Sequence, residues 1–308
     1  MTAHLYYTDG LPQTDVAKLM HVSQPQISRL LSMARERGLV TITVANYQPR
    51  DREKEERLIR EIGLTSAVVI KTAPRLPVED ARMAMAHFAA PIIAGMISQS
   101  KLLALAGGRT LRDVVHVLRP QDPNPGLVVV QAMGNICPAP DSYDAVELSR
   151  TIATKWAGSF LMLNTPAFLP DAKTHRAIYA LKEIQEVLKK AEQADLVFVG
   201  VGTVDNSVFV ERGSLTAADA EVLRKAGAVG EILGHYFDAT GKECATPLRD
   251  RTLSLDLDKL RKIKNISAIV TGADRAKAII AAVRGGVLTS VIVDEPCADA
   301  LLAEIKKH

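Results

Sequence analysis

Aromatic residues make up only 4% of this 308-residue chain, and there are just three cysteines. Cys137, Cys244 and Cys297 stand far apart, form no CxxC pair and have no histidine cluster beside them. That spacing excludes a disulfide framework and gives no support to a metal site, leaving reduced thiols in the core or at the surface. There is no strong charge of one sign either: 38 Lys and Arg stand against 35 Asp and Glu. Any nucleic-acid surface must therefore be local. The amino terminus lacks the basic, apolar and small-residue order of a signal peptide. No uninterrupted apolar run reaches the roughly 18 residues that a membrane span needs. The expectation is a cytoplasmic protein with no membrane partner. Apolar content, by contrast, is high at 47%, with 24% charge, which suits one large folded domain or two ordinary ones.

The stretch "QTDVAKLMHVSQPQISRLL" (residues 13–31) predicts two short helices around a tight corner. Val16, Ala17, Leu19 and Met20 fit one apolar stripe. In the second helix Ser23 is a good N-cap, Gln26 completes a capping box, and Pro25 falls in the first turn, where its missing N–H matters least. Ile27, Leu30, Leu31 and Ala34 follow helical spacing and should face inward. Ser23, Gln24, Pro25, Ser28, Arg29 and Ser32 are then the candidate DNA-facing residues. Glutamine can pair with base edges, and serine and arginine can hold phosphates. The same polar face would also suit an ordinary helical hairpin. Gly38 is placed to end the helix, and "LVTITV" (residues 39–44) reads as a short strand, giving the order of a winged helix-turn-helix. "HLYYTDGL" supplies a preceding helix. Residues 1–50 carry a mild basic excess, which permits DNA binding without requiring it. A helix dense in both charges follows, with Leu58, Ile59 and Ile62 on one side; it suits a solvated segment or a connector.

From residue 64 onward, apolar β-rich runs alternate with helical stretches. The runs "AVVIK", "LLALA", "LVVVQAM", "FLMLN", "DLVFVGVG", "SAIVTG" and "TSVIVDE" are the predicted strands, with helices such as "HRAIYALKEIQEVLKKAEQA" between them. Continuous apolar strands separated by helices predict a doubly wound, mostly parallel sheet covered on both faces. Ligands in such folds bind beyond the carboxyl ends of the strands. "LLALAGGRTL" offers an anion cradle there, since Gly107 and Gly108 let backbone N–H groups approach and Arg109 and Thr110 open a helix. "FVGVGT" has Gly200 and Gly202 but no third glycine at dinucleotide spacing, which argues against a nicotinamide enzyme. Arg275 opens a helix after Gly272, placed either to pair with an anion or to stay solvated. Asp238 stands in a turn ending at Gly241.

The motif "YYTDGLPQTDVAKLMHVSQPQISRLLSMARERGLVTITV" resembles the DNA-binding domain of the SorC family of bacterial sugar-responsive transcriptional regulators. His21 occupies a corner position where glycine is frequent. "GGRTL", "VGVGT", "GAVGEILGHYFDATG", "TGADRAKAIIAAVRGG" and "VIVDEPCADALL" resemble successive landmarks of that family's effector-binding domain, which is similar to sugar-phosphate isomerases. The resemblance implies a winged helix-turn-helix at 1–50, a charged linker helix at 51–63 and an effector domain at 64–308. It implies a homo-oligomer, a dimer or tetramer, on double-stranded operator DNA, controlled by a sugar phosphate, sugar or polyol, with no catalytic residue and no cofactor. Gly107, Gly108, Arg109, Thr110 and Leu111 would hold a phosphate end. Gln131, Gly200, Gly202, Glu211 and Asp238 would surround the sugar. Arg275 stands where the family usually has lysine. The competing reading is an isomerase-type enzyme with an accessory domain. Its best acid would be His235, whose nearest carboxylate in sequence is Asp238; a core or surface histidine is the plainer reading.

Overall fold

The computed structural model describes residues 1–40, 49–73, 75–136 and 142–306. It divides into two compact units, Met1–Tyr47 and Gln48–His308.

The first unit opens with one wide helical turn, His4–Thr8, followed by α1 (Gln13–Met20) and α2 (Gln24–Glu36). Val16, Ala17, Ile27 and Leu31 form its buried centre, with Leu5, Tyr6, Leu11, Met20 and Val22 around them. His21 makes the corner at φ 52°, ψ 41°, a left-handed conformation that costs histidine less than most side chains. The Ser23–Gln26 capping box forms, with the Ser23 N–H donating to Gln26 Oε1 at 2.9 Å. Gly38 follows α2 at φ 68°. Two inward assignments do not hold: Leu19 is 61% exposed and Leu30 42%. Each sits on the flank of its helix's apolar stripe, and a two-helix contact is too narrow to cover it. The predicted wing strand lies, from Thr41 on, outside the described residues.

The second unit begins with α3 (Arg52–Ile62), the charged helix. It packs on β1 (Ser66–Ile70) and on the last helix of the chain, so it is built into this unit. Leu58 is fully buried, whereas Ile59 stays partly exposed. Glu55 is buried too, gripped by Arg50 through two 2.7 Å bonds and accepting the Val69 N–H at 3.0 Å. The order then runs α4 (Val78–Ser98), β2 (Leu102–Leu105), α5 (Arg109–Val117), β3 (Val128–Gln131), α6 (Ala145–Lys155) and β4 (Ser159–Leu161). Next come α7 (Ala172–Tyr179), α8 (Lys182–Ala191), β5 (Leu196–Val199), α9 (Val208–Glu211) and α10 (Ala217–Lys225). A hairpin of β6 (Gly230–Ile232) and β7 (His235–Phe237) precedes α11 (Leu257–Leu260), β8 (Ile266–Val270), α12 (Ala276–Arg284), β9 (Ser290–Asp294) and α13 (Glu295–Ile305).

Seven strands form one sheet in the order β1-β9-β8-β5-β2-β3-β4, every pairing parallel. All seven are the predicted apolar runs. The chain steps outward from β2 through β3 to β4. It then returns to the other side of β2 with β5 and steps outward again through β8 and β9. The reversal between β2 and β5 is a topological switch point, where the loops leaving two neighbouring strands part and open a crevice.

By length and composition α4 could cross a membrane, although no uninterrupted apolar run in the sequence reaches that length. In this fold it packs on α5 and against β9 and β1. It buries Met85, Ala86, Ala89, Ile93 and Ile97, and pairs Arg82 with Asp113 of α5. The stretch expected as a single helix at 175–194 is two, α7 and α8, separated at Ala180 and Leu181.

Candidate functional site

In the first unit Ser23, Gln24, Pro25, Ser28 and Arg29 are all exposed along the start and one face of α2, while Ser32 is half-buried. Ser32 Oγ accepts from Arg35 Nη2 at 3.2 Å. The Ser23 hydroxyl donates to Gln26 Oε1 at 3.0 Å, so this residue works first as a cap. The face therefore offers amide and hydroxyl groups at its amino end and guanidiniums further along, chemistry suited to base edges and phosphates.

In the second unit a half-open cleft lies at the switch point. Its walls are the loops leaving β2, β5 and β8 and the β6–β7 hairpin. Gly107, Gly108, Arg109, Thr110, Leu111, Gly200, Gly202 and Arg275 of the predicted residues all line it. Gly108 is the N-cap of α5 at φ 136°, ψ 157°, a conformation open in practice only to glycine. The first N–H groups of α5 have no acceptor within the helix and carry the positive end of its dipole. Thr110 Oγ1 stands 3.4 Å from Thr271 Oγ1 across the cleft. At the far end of α5, Lys155 Nζ donates to the carbonyls of Val115, His116 and Leu118 at 2.6, 3.1 and 3.0 Å. Burial pulls the Lys155 pKa below the usual lysine value.

Three predicted residues do not reach the cleft wall. Gln131 is buried beneath it with its amide fully engaged: Nε2 donates to the Met133 carbonyl at 2.7 Å and to Asn135 Oδ1 at 2.9 Å, and Oε1 accepts from Leu163 N at 3.0 Å. Asp238 closes its own turn, accepting from Thr240 N at 2.8 Å, Thr240 Oγ1 at 2.6 Å and Lys242 N at 3.2 Å. The Thr240 hydroxyl leads these bonds in holding the Asp238 carboxyl below its ordinary pKa. Glu211 stands outside the wall and acts on it only through Arg109, at 3.2 Å.

The residues the sequence reading passed over are Glu231, Asn206 and Thr271, with Met133, Phe209 and Leu233 as apolar wall. Glu231 comes from β6 and lies against Gly202, which it pairs through both backbone bonds, at 3.0 and 2.9 Å. A Cβ at position 202 would stand 2.5 Å from Glu231 Oε2, so the missing side chain is what admits the carboxylate. Burial raises the Glu231 pKa to about 7, against the Gly234 N–H bond and the nearby His235, which favour the ionised form. The signal available in "GEILGHYF" was a lone carboxylate inside an apolar run.

The hairpin carrying Glu231 turns at Leu233 (φ 55°) and Gly234 (φ 81°), two left-handed residues in succession, as tight two-residue hairpins require. Leucine in that conformation is strained. The strain is held by bonds on both sides: Gly234 N–H donates to Glu231 Oε1 at 2.5 Å, and Ser254 Oγ donates to the Leu233 carbonyl at 2.8 Å. Ser254 also lies 2.8 Å from His235 Nε2, and His235 Nδ1 lies 2.6 Å from Glu243 Oε1. The carboxylate beside His235 is thus Glu243, which the chain brings back along β7, and not Asp238. Although the atoms follow the order of a nucleophilic triad, Ser254 is 4% exposed and its hydroxyl serves Leu233. His235 is accordingly a core histidine that anchors the turn.

The two cleft arginines are already engaged. Arg109 Nη2 donates to Asn206 Oδ1 at 2.6 Å, and Asn206 Nδ2 donates to Asp274 Oδ2 at 3.2 Å. Asp274 in turn pairs with Arg275. Burial opposes ionisation of Asp274, but the Arg275 guanidinium and the Asn206 amide outweigh it and hold the carboxyl below its ordinary pKa. Glu211, Arg109, Asn206, Asp274 and Arg275 form one chain of bonds across the loops after β2, β5 and β8. Among the described residues no cluster of His, Cys, Asp and Glu suits a metal ion. Cys244 and Cys297 are free and buried; Cys137 lies outside the described residues.

Residues 48–303 match the family described as "Putative sugar-binding domain". The chain is 26% identical over 305 residues to the deoxyribonucleoside regulator of Bacillus subtilis, covering 98% of this chain and 96% of that one. It is 28% identical over 308 residues to the erythritol catabolism regulatory protein EryD of Brucella abortus, covering 98% and 95%. Its fold matches the crystal structure of the full-length sorbitol operon regulator SorC from Klebsiella pneumoniae with a TM-score of 0.77 at 23% identity, over 98% of this chain and 96% of that one.

Proposed function

The chain belongs to this family of sugar-binding domains, and from that premise we propose that it is a transcriptional regulator of a carbohydrate or polyol operon, controlled by a sugar-type effector bound in the switch-point cleft. The amino-terminal unit grips double-stranded operator DNA with the exposed face of α2, led by Gln24, Ser28 and Arg29. The effector site comprises Gly107 to Leu111, Gly200, Gly202, Glu231 and Arg275, with the Asn206 amide and the Thr271 hydroxyl as further hydrogen-bonding groups. Gln131 and Glu211 act one step back, through Met133 and Arg109, whereas Asp238 holds only its own turn. The protein works as a cytoplasmic homo-oligomer, because one helix-turn-helix offers too few base contacts for useful specificity, and paired ones read a half-site repeat. It does not turn its ligand over.

The observation that carries this reading is a convergence in one chain. A helix-turn-helix presents an unburied polar face, and a separate α/β unit aims a helix amino terminus, two guanidiniums and a carboxylate into a single cleft. Control needs only that the effector prefer one arrangement of the oligomer, with a coupling free energy of about 1–3 kcal/mol.

Fluorescence anisotropy with the intergenic DNA upstream of the gene, combined with thermal shift in sugars and polyols, tests the division. Arg29→Ala should lower DNA affinity by at least about tenfold, within the 1–3 kcal/mol of a good base contact, and leave ligand-induced stabilisation intact. Thr110→Val should abolish ligand stabilisation while DNA binding without ligand persists. Equal damage to both activities by either change would refute the division. Conversion of a sugar phosphate by the purified protein, abolished by His235→Asn, would restore the enzyme reading.

A further inference from the structure

We propose that the cleft selects an uncharged polyhydroxy compound, an alditol or sugar, and discriminates against the phosphate ester of the same compound. This inference rests on reading the cleft as the effector site. It follows from the charges already facing one another there. The cations are Arg109 and Arg275, and no lysine lines the wall among the described residues. Against them stand Glu211 at 3.2 Å from Arg109 and Asp274 on Arg275, with Glu231 on the hairpin as a further carboxyl that adds charge only when ionised. Asp294, at the end of β9, sits close behind, accepting the Gly272 N–H at 3.0 Å next to the Arg275 turn.

Each guanidinium therefore has its own carboxylate, and Glu231 remains as an acceptor with no cation in the wall assigned to it. A phosphate dianion placed at the α5 amino terminus would have to draw Arg109 from Glu211 and Arg275 from Asp274. Either move leaves a half-exposed carboxylate without its cation beside the newcomer, and like charges a few ångströms apart repel even where water partly screens them. The half charge of the helix terminus is too small to offset two such displacements.

A polyol meets the opposite situation. The same groups present acceptors and donors in alternation: Glu231 accepts, Asn206 does both, Thr110 and Thr271 do both, and the backbone N–H groups of Arg109 and Thr110 donate. Successive hydroxyls on a carbon chain carry one donor and two acceptor positions each, and match that alternation without displacing any ion pair. Apolar wall at Met133, Phe209 and Leu233 suits the C–H edges of such a chain.

The test is isothermal titration of the full-length protein with erythritol, ribitol, sorbitol and ribose, each against its terminal phosphomonoester, with inorganic phosphate as a further probe. At least one of the uncharged compounds should bind, and its ester should be weaker by about tenfold or more, the size expected of a partly screened like charge at this range. Glu211→Gln and Asp274→Asn each take the carboxylate from one guanidinium, and should raise the ratio of ester to parent affinity about tenfold. Glu211 is exposed enough that its change leaves folding intact, which covers failure of the Asp274 variant to fold. Tighter binding of an ester than of its parent in the unmodified protein would overturn the inference and leave the sugar-pocket reading standing. A ratio unmoved by both variants would overturn it as well. Binding of neither class would overturn the sugar-pocket reading, and this inference with it.

Discussion

The two units of this chain put their working surfaces in opposite places. In Met1–Tyr47 the candidate residues are outside, on one face of a helix whose other face makes a core of a few side chains. In Gln48–His308 they lie at the ends of buried strands, where loops far apart in sequence meet over a core of dozens. The contrast teaches that a surface written along one helix depends only on that helix staying folded. A cleft assembled from four loops depends on topology, and can lose one member without dissolving. It also means that the small unit has little stability to spare, since buried fraction falls with size.

One substitution made twice sharpens this. Ile27 is fully buried in the small core, and Ile292 is 2% exposed in β9. Isoleucine to alanine at either site removes the same atoms and costs about 2–5 kcal/mol. At Ile27 that should exceed the reserve of the unit: amide exchange throughout α1 and α2 becomes fast and DNA affinity disappears, while ligand stabilisation persists. At Ile292 the sheet should stay folded with a lowered melting temperature. Equal tolerance at the two sites, measured by hydrogen exchange, would break the comparison.

A smaller effect separates the units by pH. Glu231 belongs to the second unit, and burial raises its pKa from 4.5 to about 7. An acid that holds its proton more tightly folded than unfolded stabilises the fold at low pH and loses that advantage as it ionises. Stability of the sheet unit should therefore fall as pH rises from about 4.5 to about 7 and level off above. Urea melts at stepped pH should show this slope, and Glu231→Gln should flatten it. An unchanged slope in that variant would assign the effect to another group.

How much of this was legible follows the same division. The seven sheet strands are readable because strands buried on both faces are unbroken apolar runs. The Gly107–Leu111 corner is readable because glycines, a hydroxyl and a helix start stand together. The β6–β7 hairpin was not, since strands of three residues show no period and its turn is Leu233-Gly234 in place of an Asn-Gly signal. With it goes Glu231, while Asp238, the carboxylate that the resemblance implies, belongs to the turn after β7. Asn206 and Thr271 reach the cleft only through strand order. In the small unit the capping box and the outward polar face followed from helical spacing alone. Leu19 and Leu30 were misplaced because spacing defines a stripe but not the width of what covers it.

The finest distinction concerns Ser23, which is both the cap of α2 and one of the residues expected to face DNA. Its Oγ and N–H both donate to Gln26 Oε1, so alanine there should cost the small unit about 1 kcal/mol, the usual worth of a cap. Aspartate caps as well as serine, yet brings a negative charge to the end of the helix meant to approach phosphates. Ser23→Ala should thus lower the protection of α2 amides and weaken DNA binding only slightly, whereas Ser23→Asp should restore protection and weaken DNA binding further. If Ser23→Asp restored both, the amino end of α2 would lie away from the DNA backbone. The polar face would then have to be read from Ser28 and Arg29 onward.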